Sequence, residues 1–351
     1  MTLCSNIPNK EFWKGKNVLV TGHTGFKGSW LCLWLLKMGA KVSGISLDPE
    51  SSKNHFDSLN IKREINHIIS DIRNRENLKS HLKQINPEII FHLAAQPLVL
   101  TSYEEPVETW EVNVLGTINL LDSIRTNKNE CIAILITTDK VYQNKEWIHG
   151  YRENDTLGGY DPYSSSKAAA ELAIKSWRSS FFNLEDKNPG TNFFAFSSAR
   201  AGNVIGGGDW SKNRIIPDLV NALHEKKEII IRNPRSTRPW QHVIEPLSGY
   251  LRLAEKLYSN PRKYSTSYNF GPHIKSNKTV QSLVEESLKE WSGKFKFSQE
   301  QKVPHEAKML NLIIEKAIKE LEWEPVWDFG KTIQKTIRWN KKVLIDGESA
   351  L

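Results

Sequence analysis

Val20-Thr21-Gly22-His23-Thr24-Gly25-Phe26-Lys27-Gly28 is the stretch that decides the fold of this chain. The apolar run Val18-Leu19-Val20 before it reads as a strand, and Ser29 to Met38 after it as a helix. That helix carries Trp30, Leu31, Trp34, Leu35 and Met38 at helical spacing, so the two tryptophans are expected in the core. Gly22, Gly25 and Gly28 permit a tight turn and let backbone amides of the segment, including those of His23, Thr24 and Phe26, approach a pyrophosphate. The helix N-terminus adds unpaired N–H groups and the positive end of its dipole. The spacing is GxxGxxG, which alone is weak. It gains weight from Asp48, 20 residues past Gly28 at the end of the next strand, Val42 to Leu47. A carboxylate there hydrogen-bonds a ribose diol and repels a 2′-phosphate, which favours NAD over NADP. The alternative for Asp48 is a turn residue before Pro49, and Lys27 and Lys53 leave an opening for NADP.

Further strands are read at Ile89 to Leu93 and Ile132 to Thr137, with helices over Pro106–Ser123 and Ser164–Phe181. Strands separated by helices predict an α/β fold, a Rossmann-type doubly wound parallel sheet. In this frame Asp71 and Ile72 of Ser70-Asp71-Ile72-Arg73 are placed to meet an adenine, and the small residues of Leu93-Ala94-Ala95 let backbone lie against a cofactor. Gln96 follows on the substrate side. After Arg200 the pattern changes. Residues 202–210 are glycine-rich, Ile229 to Ile231 is a short strand, Asn233 to His242 a loop, and Glu245 to Tyr258 a helix. The reading is a dinucleotide-binding domain over 1–200, rejoined by a segment near 240–270, and a smaller, mainly substrate-binding subdomain over 201–351, with no linker to mark the boundary.

Composition narrows the function. No apolar run approaches the roughly 18 residues of a membrane span, and Met1 to Lys10 has no apolar stretch of a secretory signal. Cys4, Cys32 and Cys131 form no CxxC, which points to a reducing cytoplasm rather than a disulfide framework. The ten histidines show no ligand spacing, so no metal site is expected. The net charge of +8 comes from scattered lysines and arginines, which suits a small phosphate-bearing ligand better than nucleic acid.

Two motifs carry the chemistry. Tyr163 and Lys167 are four residues apart on one helix face. A phenol with an ordinary pKa of about 10 is a poor base at neutral pH. A nearby ammonium and a nicotinamide cation would lower it. Thr138 ends the intervening strand. Asp139 and Lys140 then place an acid and an amine where a simple dehydrogenase needs neither.

With these residues in hand, the chain resembles the extended short-chain dehydrogenase/reductase family. Within that family it looks like the nucleotide-sugar 4,6-dehydratases. The resemblance runs through TGHTGFKGSW at 21–30, HLAAQPLV at 92–99, TTDKVY at 137–142, YRENDTLGGYDPYSSSK at 151–167, ARAGNVIGGGDW at 199–210 and RPWQHVIEPLSGYL at 238–251. Relatives acting on dTDP-glucose or GDP-mannose carry Glu after the Asp. Lys140 in its place resembles the CDP-glucose branch. The resemblance implies CDP-glucose as substrate, NAD as retained cofactor, and a 4-keto-6-deoxy sugar nucleotide as product, for deoxysugars of a surface polysaccharide such as O-antigen. It implies that Tyr163 takes the 4-hydroxyl proton, that Thr138 bonds the same oxygen, and that Asp139 protonates the departing 6-hydroxyl. Lys140 removes the C5 proton, or stabilises the enolate while another group moves that proton. It further implies a homodimer through the helices Pro106–Ser123 and Ser164–Phe181.

For the nucleotide end, Arg200 and Asn203 lie in the glycine-rich segment, and Arg214, Arg235 and Arg238 follow. Arginine suits bidentate phosphate recognition; the resemblance favours Arg238 for the pyrophosphate. Two rival functions share most of these residues. A nucleotide-sugar 4-epimerase needs the Tyr163/Lys167 pair but not Asp139 and Lys140. A non-catalytic NAD-binding protein needs none of Thr138, Tyr163 or Lys167.

Overall fold

The computed structural model describes residues 7–49, 51–127, 130–182, 194–298 and 309–347; Cys4 lies outside them. Seven parallel strands form the central sheet. In chain order they are β1 (Asn17–Thr21), β2 (Lys41–Ser46), β3 (Asn66–Ile69), β4 (Ile89–His92), β5 (Cys131–Ile136), β6 (Phe194–Ala201) and β7 (Ser267–Phe270). Their spatial order is β7-β6-β5-β4-β1-β2-β3. The winding reverses between β1 and β4, which pair Thr21 with His92. In a doubly wound sheet that switch point opens a crevice at the carboxyl ends of the strands.

Alternation along each strand feeds two cores. Val18 and Val20 of β1, Ile89 and Phe91 of β4, and Ile132, Ile134 and Ile136 of β5 pack on one face. Leu19, Ile90, Ala133 and Leu135 pack on the other. All of β5 is buried, as a central strand covered by helices on both faces must be. The helix Phe26–Lys37 lies on the first face through Leu31, Cys32 and Leu35, with Trp30 and Trp34 against its edge.

The sheet also recruits late sequence. The helix Ile244–Ser259 buries Leu247, Tyr250, Leu251 and Leu257 in the first core, and β7 closes the edge beside β6. Trp323 joins the same core and donates through Nε1 to Ser248 Oγ at 2.7 Å. A third core, separate from the sheet, gathers Leu219, Leu223, Ile229, Ile231, Trp240, Leu283, Trp291 and Ile337.

Two elements differ from the sequence reading. The stretch Asn233 to His242 is not all loop. Thr237–Pro239 pairs antiparallel with Asn277–Thr279, and Gln241–His242 pairs parallel with Val204–Ile205. The expected helix Pro106–Ser123 is two helices, Pro106–Trp110 and Gly116–Asn127, joined by a π-helical turn at Glu111–Leu115. That turn carries Asn113 inward. Among the described residues no helix is long and apolar enough to cross a membrane.

The glycine-loop helix packs too closely for a side chain at its start. A Cβ at Gly28 would overlap the Gly22 carbonyl and lie 2.8 Å from His23 Cα, both backbone atoms that cannot swing aside. Gly28→Ala is therefore expected to destabilise the fold by about 1–3 kcal/mol, read as a lowered denaturation midpoint. Gly330→Ala, whose nearest neighbours would be 3.7 Å away, is the control and should shift it by less than about 1 kcal/mol.

Candidate active site

β5 delivers the acid-bearing turn to the crevice. Past Ile136 the chain stays extended through Thr138, whose Oγ1 accepts from Lys140 N at 3.3 Å and caps the short turn Asp139–Val141. The same hydroxyl donates to Asp139 Oδ1 at 3.0 Å, and Asn203 Nδ2 donates to Asp139 Oδ2 at 2.9 Å. Asn203 does this from a left-handed φ of 52°, and a Cβ at the preceding Gly202 would overlap the Asp139 carboxylate. Asp139 is 1% exposed. Burial pushes its pKa up, against the pull of Lys140, Thr138, Arg238 and Lys27.

The second motif starts a helix. Asp161 caps it by accepting from Ser164 N at 2.8 Å and from Ser164 Oγ at 2.6 Å, with Pro162 in the first turn. Tyr163 and Lys167 are thereby set one turn apart against the end of β5. Lys167 Nζ donates to Ile136 O at 3.3 Å, and the Thr138 side chain hydrogen-bonds the Tyr163 phenol. The expectation of a lowered phenol pKa is not met by the protein alone: burial pushes Tyr163 up to about 12. Lys167 does not offset this, because burial and then the Lys27 charge bring its own pKa down to about 7.

One turn beyond Lys167, Glu171 braces the site from beneath. Its Oε1 accepts from Thr137 Oγ1 at 2.6 Å; its Oε2 accepts from Ser198 Oγ at 2.9 Å and Arg200 Nη2 at 2.7 Å. Arg200 also donates to Tyr142 Oη and Glu153 O, both at 2.9 Å. This corrects the reading of Arg200 as a substrate ligand. It lies on β6, is 3% exposed, and spends its guanidinium on a buried ion pair. Sequence reasoning missed Glu171, although it continues the i, i+4 face of Tyr163 and Lys167.

The cofactor-loop residues divide by what their side chains do. Gly22 has φ 74°, and a Cβ there would come within 2.7 Å of Ala94 N, so the loop and the Leu93-Ala94-Ala95 backbone touch. His23 turns inward to His67 at 2.6 Å, and Thr24 to Ser46 Oγ at 2.7 Å. Only their backbone is left for the crevice. Gly25 caps the helix with no side-chain hydrogen bond, and Phe26 lines the cleft. Asp48 is exposed just past β2. Asp71 is paired with Arg73 at 2.6 Å, and Ile72 is buried in the second core, so neither side chain is turned to a ligand.

A cleft of about 350 Å³ joins the motifs. Lys27, Thr138, Asp139, Lys140 and Tyr163 line it together with Asn203, Asp209, Lys212, Arg214, Arg232 and Arg238. Arg214 Nη1 meets Asp209 Oδ2 at 3.1 Å. Arg238 is buried and donates to Thr237 O. Arg235 is exposed outside the lining. Gln96 also stands apart: its side chain donates to Leu98 O and Thr109 Oγ1 and accepts from Leu98 N, while Asn113 pins its backbone. It shapes the loop instead of reaching ligand. The sequence reading had weighed Lys27 only as an opening toward NADP; in the structure it lines the same cleft as Asp139.

A family model described as GDP-mannose 4,6 dehydratase matches residues 19–336. The chain belongs to that family. A CDP-glucose 4,6-dehydratase of Salmonella typhimurium is similar to this family member at 46% identity over 344 residues, covering 98% of this chain and 95% of the relative. Among solved structures, a dTDP-glucose 4,6-dehydratase from Bacillus anthracis in complex with NAD superposes with TM-score 0.75 at 23% identity, over 93% of this chain and 97% of the other. A UDP-glucose 4-epimerase from Thermotoga maritima with UDP-glucose gives TM-score 0.76 at 20% identity, over 93% and 99%. These two share the fold of this dehydratase-family chain.

The Glu171–Arg200 pair yields a pH prediction. Burial alone would raise the Glu171 pKa, but Arg200, Thr137 and Ser198 more than offset it and leave it below its ordinary 4.5. A depressed folded pKa contributes stability above the unfolded value of about 4.3 and loses it as pH falls through the folded one. Glu171→Gln should cost about 3–5 kcal/mol near neutral pH, because Arg200 stays buried and charged without its counter-ion. Its denaturation midpoint should also fall less steeply below about pH 4 than that of the unaltered chain.

Proposed function

We propose that this chain converts CDP-glucose into CDP-4-keto-6-deoxyglucose and water, with NAD as a retained cofactor. The single observation that carries the reading is a buried acid, Asp139, in one cleft with Thr138 and Tyr163. A 4-epimerase moves a proton and a hydride at C4 and has no use for a carboxyl whose pKa burial pushes up. The similarity to a CDP-glucose 4,6-dehydratase at 46% identity supports the same base and sugar.

The glycine loop fits a dinucleotide. Gly22 and Gly28 leave no room for a Cβ, the helix Phe26–Lys37 opens without a side-chain cap, and Asp48, exposed just past β2, is the carboxylate we assign to the ribose diol. NAD bound there would supply a hydride acceptor for C4, the donor that returns the hydride to C6, and the positive ring that lets the buried phenol ionise. Tyr163 then takes the O4 proton, and Thr138 bonds the same oxygen. The ketone at C4 acidifies C5–H. Asp139 gives its proton to the leaving 6-hydroxyl, and Lys140 neutralises charge growing on the enolate oxygen. Arg214 and Arg238, which line the same cleft, hold the pyrophosphate. The division into a dinucleotide domain over 1–200 and a substrate part over 201–351 follows the cleft, with Ile244–Ser259 and β7 returned to the first.

The partner we propose is a second copy. Val107 on the helix before the π-helical turn, Leu115 at the end of that turn, and Leu172 and Phe181 on and just past the Tyr163 helix, are large apolar side chains left exposed. Val107, Trp110, Val114 and Leu115 line a shallow apolar hollow there. Exposed apolar surface of this kind fits a self-complementary two-fold contact. Cys32 and Cys131 are buried free thiols, compatible with a cytoplasmic setting.

Two experiments test this. Purified protein incubated with CDP-glucose should give a product lighter by one water; Asp139→Asn should keep NAD affinity by calorimetry and lose about 10²–10⁴-fold in water loss. Water loss from none of the CDP-, dTDP-, GDP- or UDP-sugars would remove the dehydratase reading. Val107→Glu with Leu172→Glu should shift the mass in light scattering from dimer to monomer; an unchanged mass rejects this face as the contact.

A further inference from the structure

The segment RPWQHVIEPLSGYL lends Arg238 and Trp240 to the cleft lining. Gln241 beside them is 1% exposed and stands outside that lining. Its Nε2 donates to Gly202 O at 2.9 Å and to the carbonyl of Phe270, the last residue of β7, at 3.1 Å. Both neighbours are carbonyl oxygens, so the amide can face them only with its nitrogen. Gln241 N donates to Asn203 O at 3.3 Å. One residue thus pins the peptide planes on both sides of the Asn203 Cα. Those two planes define φ and ψ of Asn203, which is held in the left-handed region at φ 52°, a conformation few residues other than glycine adopt. Asn203 Nδ2 then donates to Asp139 Oδ2 at 2.9 Å, and Gly202 lies so close to the same carboxylate that a Cβ there would overlap it. We infer that Gln241 is a positioning residue for Asp139: by fixing the backbone at Asn203, it sets the donor that steadies the carboxylate as its proton leaves. This rests on the dehydratase reading above.

Asp139 has two tasks that pull apart. It must hold a proton before elimination, and it must carry a negative charge once the departing 6-hydroxyl has taken that proton. Burial serves the first by pushing its pKa up. Donors serve the second, because a hydrogen bond to the charged form favours it. Thr138 Oγ1 donates to Oδ1 at 3.0 Å and Asn203 Nδ2 to Oδ2. Each carboxylate oxygen has two lone pairs, so one on each stays open for the transferable proton. The two donors differ in how they are held. Thr138 is the chain neighbour of Asp139 and is fixed by the turn that it caps. Asn203 comes from 64 residues away and is aimed by its backbone. A donor set before the proton moves needs no reorganisation at that moment, and Gln241 does the setting. Gln241 Oε1 has no hydrogen-bond partner among the described residues, a cost that a methionine of similar length would not carry. The amide is therefore placed by what its nitrogen holds rather than by what packs best.

Gln241→Met and Gln241→Asn test this in single turnovers with CDP-glucose that follow two steps separately: C4 oxidation, as reduced-nicotinamide absorbance, and water loss, by mass. The unaltered protein should complete both; if it loses no water, the dehydratase reading itself fails. Both variants should keep a cooperative unfolding transition and oxidise C4 near the unaltered rate, yet lose water about 10²-fold more slowly. Weakening a donor to the anion raises the pKa of the acid, so the alkaline fall in water loss should move to higher pH. Asn203→Ala should slow water loss by about 10²–10³-fold. Adding Gln241→Met to Asn203→Ala should change that rate by less than about threefold, because both act through one hydrogen bond. The assignment is overturned by unslowed water loss, by equal losses in both steps, by an unmoved alkaline limb, or by multiplied losses in the double variant. Loss of the cooperative transition in both single variants overturns it as well, since Gln241 would then serve folding alone.

Discussion

Four elements of the active site hang on one buried ion pair. Glu171 and Arg200 meet at 2.7 Å with both side chains almost fully enclosed. Through Glu171 the pair holds Thr137 at the tip of β5, Ser198 on β6 and the helix that bears Tyr163 and Lys167. Through Arg200 it holds Tyr142 and the backbone at Glu153. Tyr142 in turn donates to Asn269 on β7 at 2.6 Å. Two charges taken out of water are costly, and their attraction offsets that only when hydrogen bonds satisfy what remains. Both carboxylate oxygens are satisfied here. The network fixes the height of the β5 tip against the helix face, and therefore the distance at which Thr138 meets Tyr163.

Above that layer, burial governs the titrating groups in opposite senses. Carboxyl and phenol go up; amines go down. Asp139 and Tyr163 are raised, while Lys27 and Lys167 are lowered to about 8 and 7. An exposed Asp–Lys neighbour pair settles as carboxylate and ammonium. In this cleft the low polarity of the walls works against both charges.

The sequence made four of the five inner strands legible because β1, β2, β4 and β5 are apolar runs bounded by turn residues. It hid β6, whose residues Phe194 to Ala201 include Ser197, Ser198 and Arg200. Those polar groups are buried only because Glu171, Tyr264 and Tyr142 satisfy them, a tertiary fact with no local signature. β3 was hidden for the opposite reason: it is an edge strand, half exposed, with Asn66 and His67 in it. The same logic separates the site residues. Thr138, Asp139, Tyr163 and Lys167 announced themselves by motif. Arg200 and Gln96 sat inside equally suggestive motifs, yet their side chains are consumed by the fold. Lys27 was visible only as part of a glycine loop, because the Asp139 turn with which it lines the cleft lies more than a hundred residues away in the chain.

The cleft walls are also tied to each other. Trp30, on the glycine-loop helix, donates to Gly207 O at 2.9 Å and stacks on His55 at 4.7 Å between ring centroids. Trp339, from the last helix, closes on the same histidine at 5.6 Å. Gly207 and Gly208 belong to the segment that carries Asn203, and a Cβ at either would overlap Trp339 or His55. Small residues at these two positions let three aromatic rings lock the glycine loop, the Asn203 segment and the C-terminal helix into one packed unit. Asn203, which holds Asp139, is thereby referenced to the same body as the glycine loop. An acid acting on a bound sugar needs that fixed position, since a displacement of about 1 Å can cost two orders of magnitude in rate. Trp30, which the sequence marked as core, thus helps set the position of the site's acid, together with Trp339.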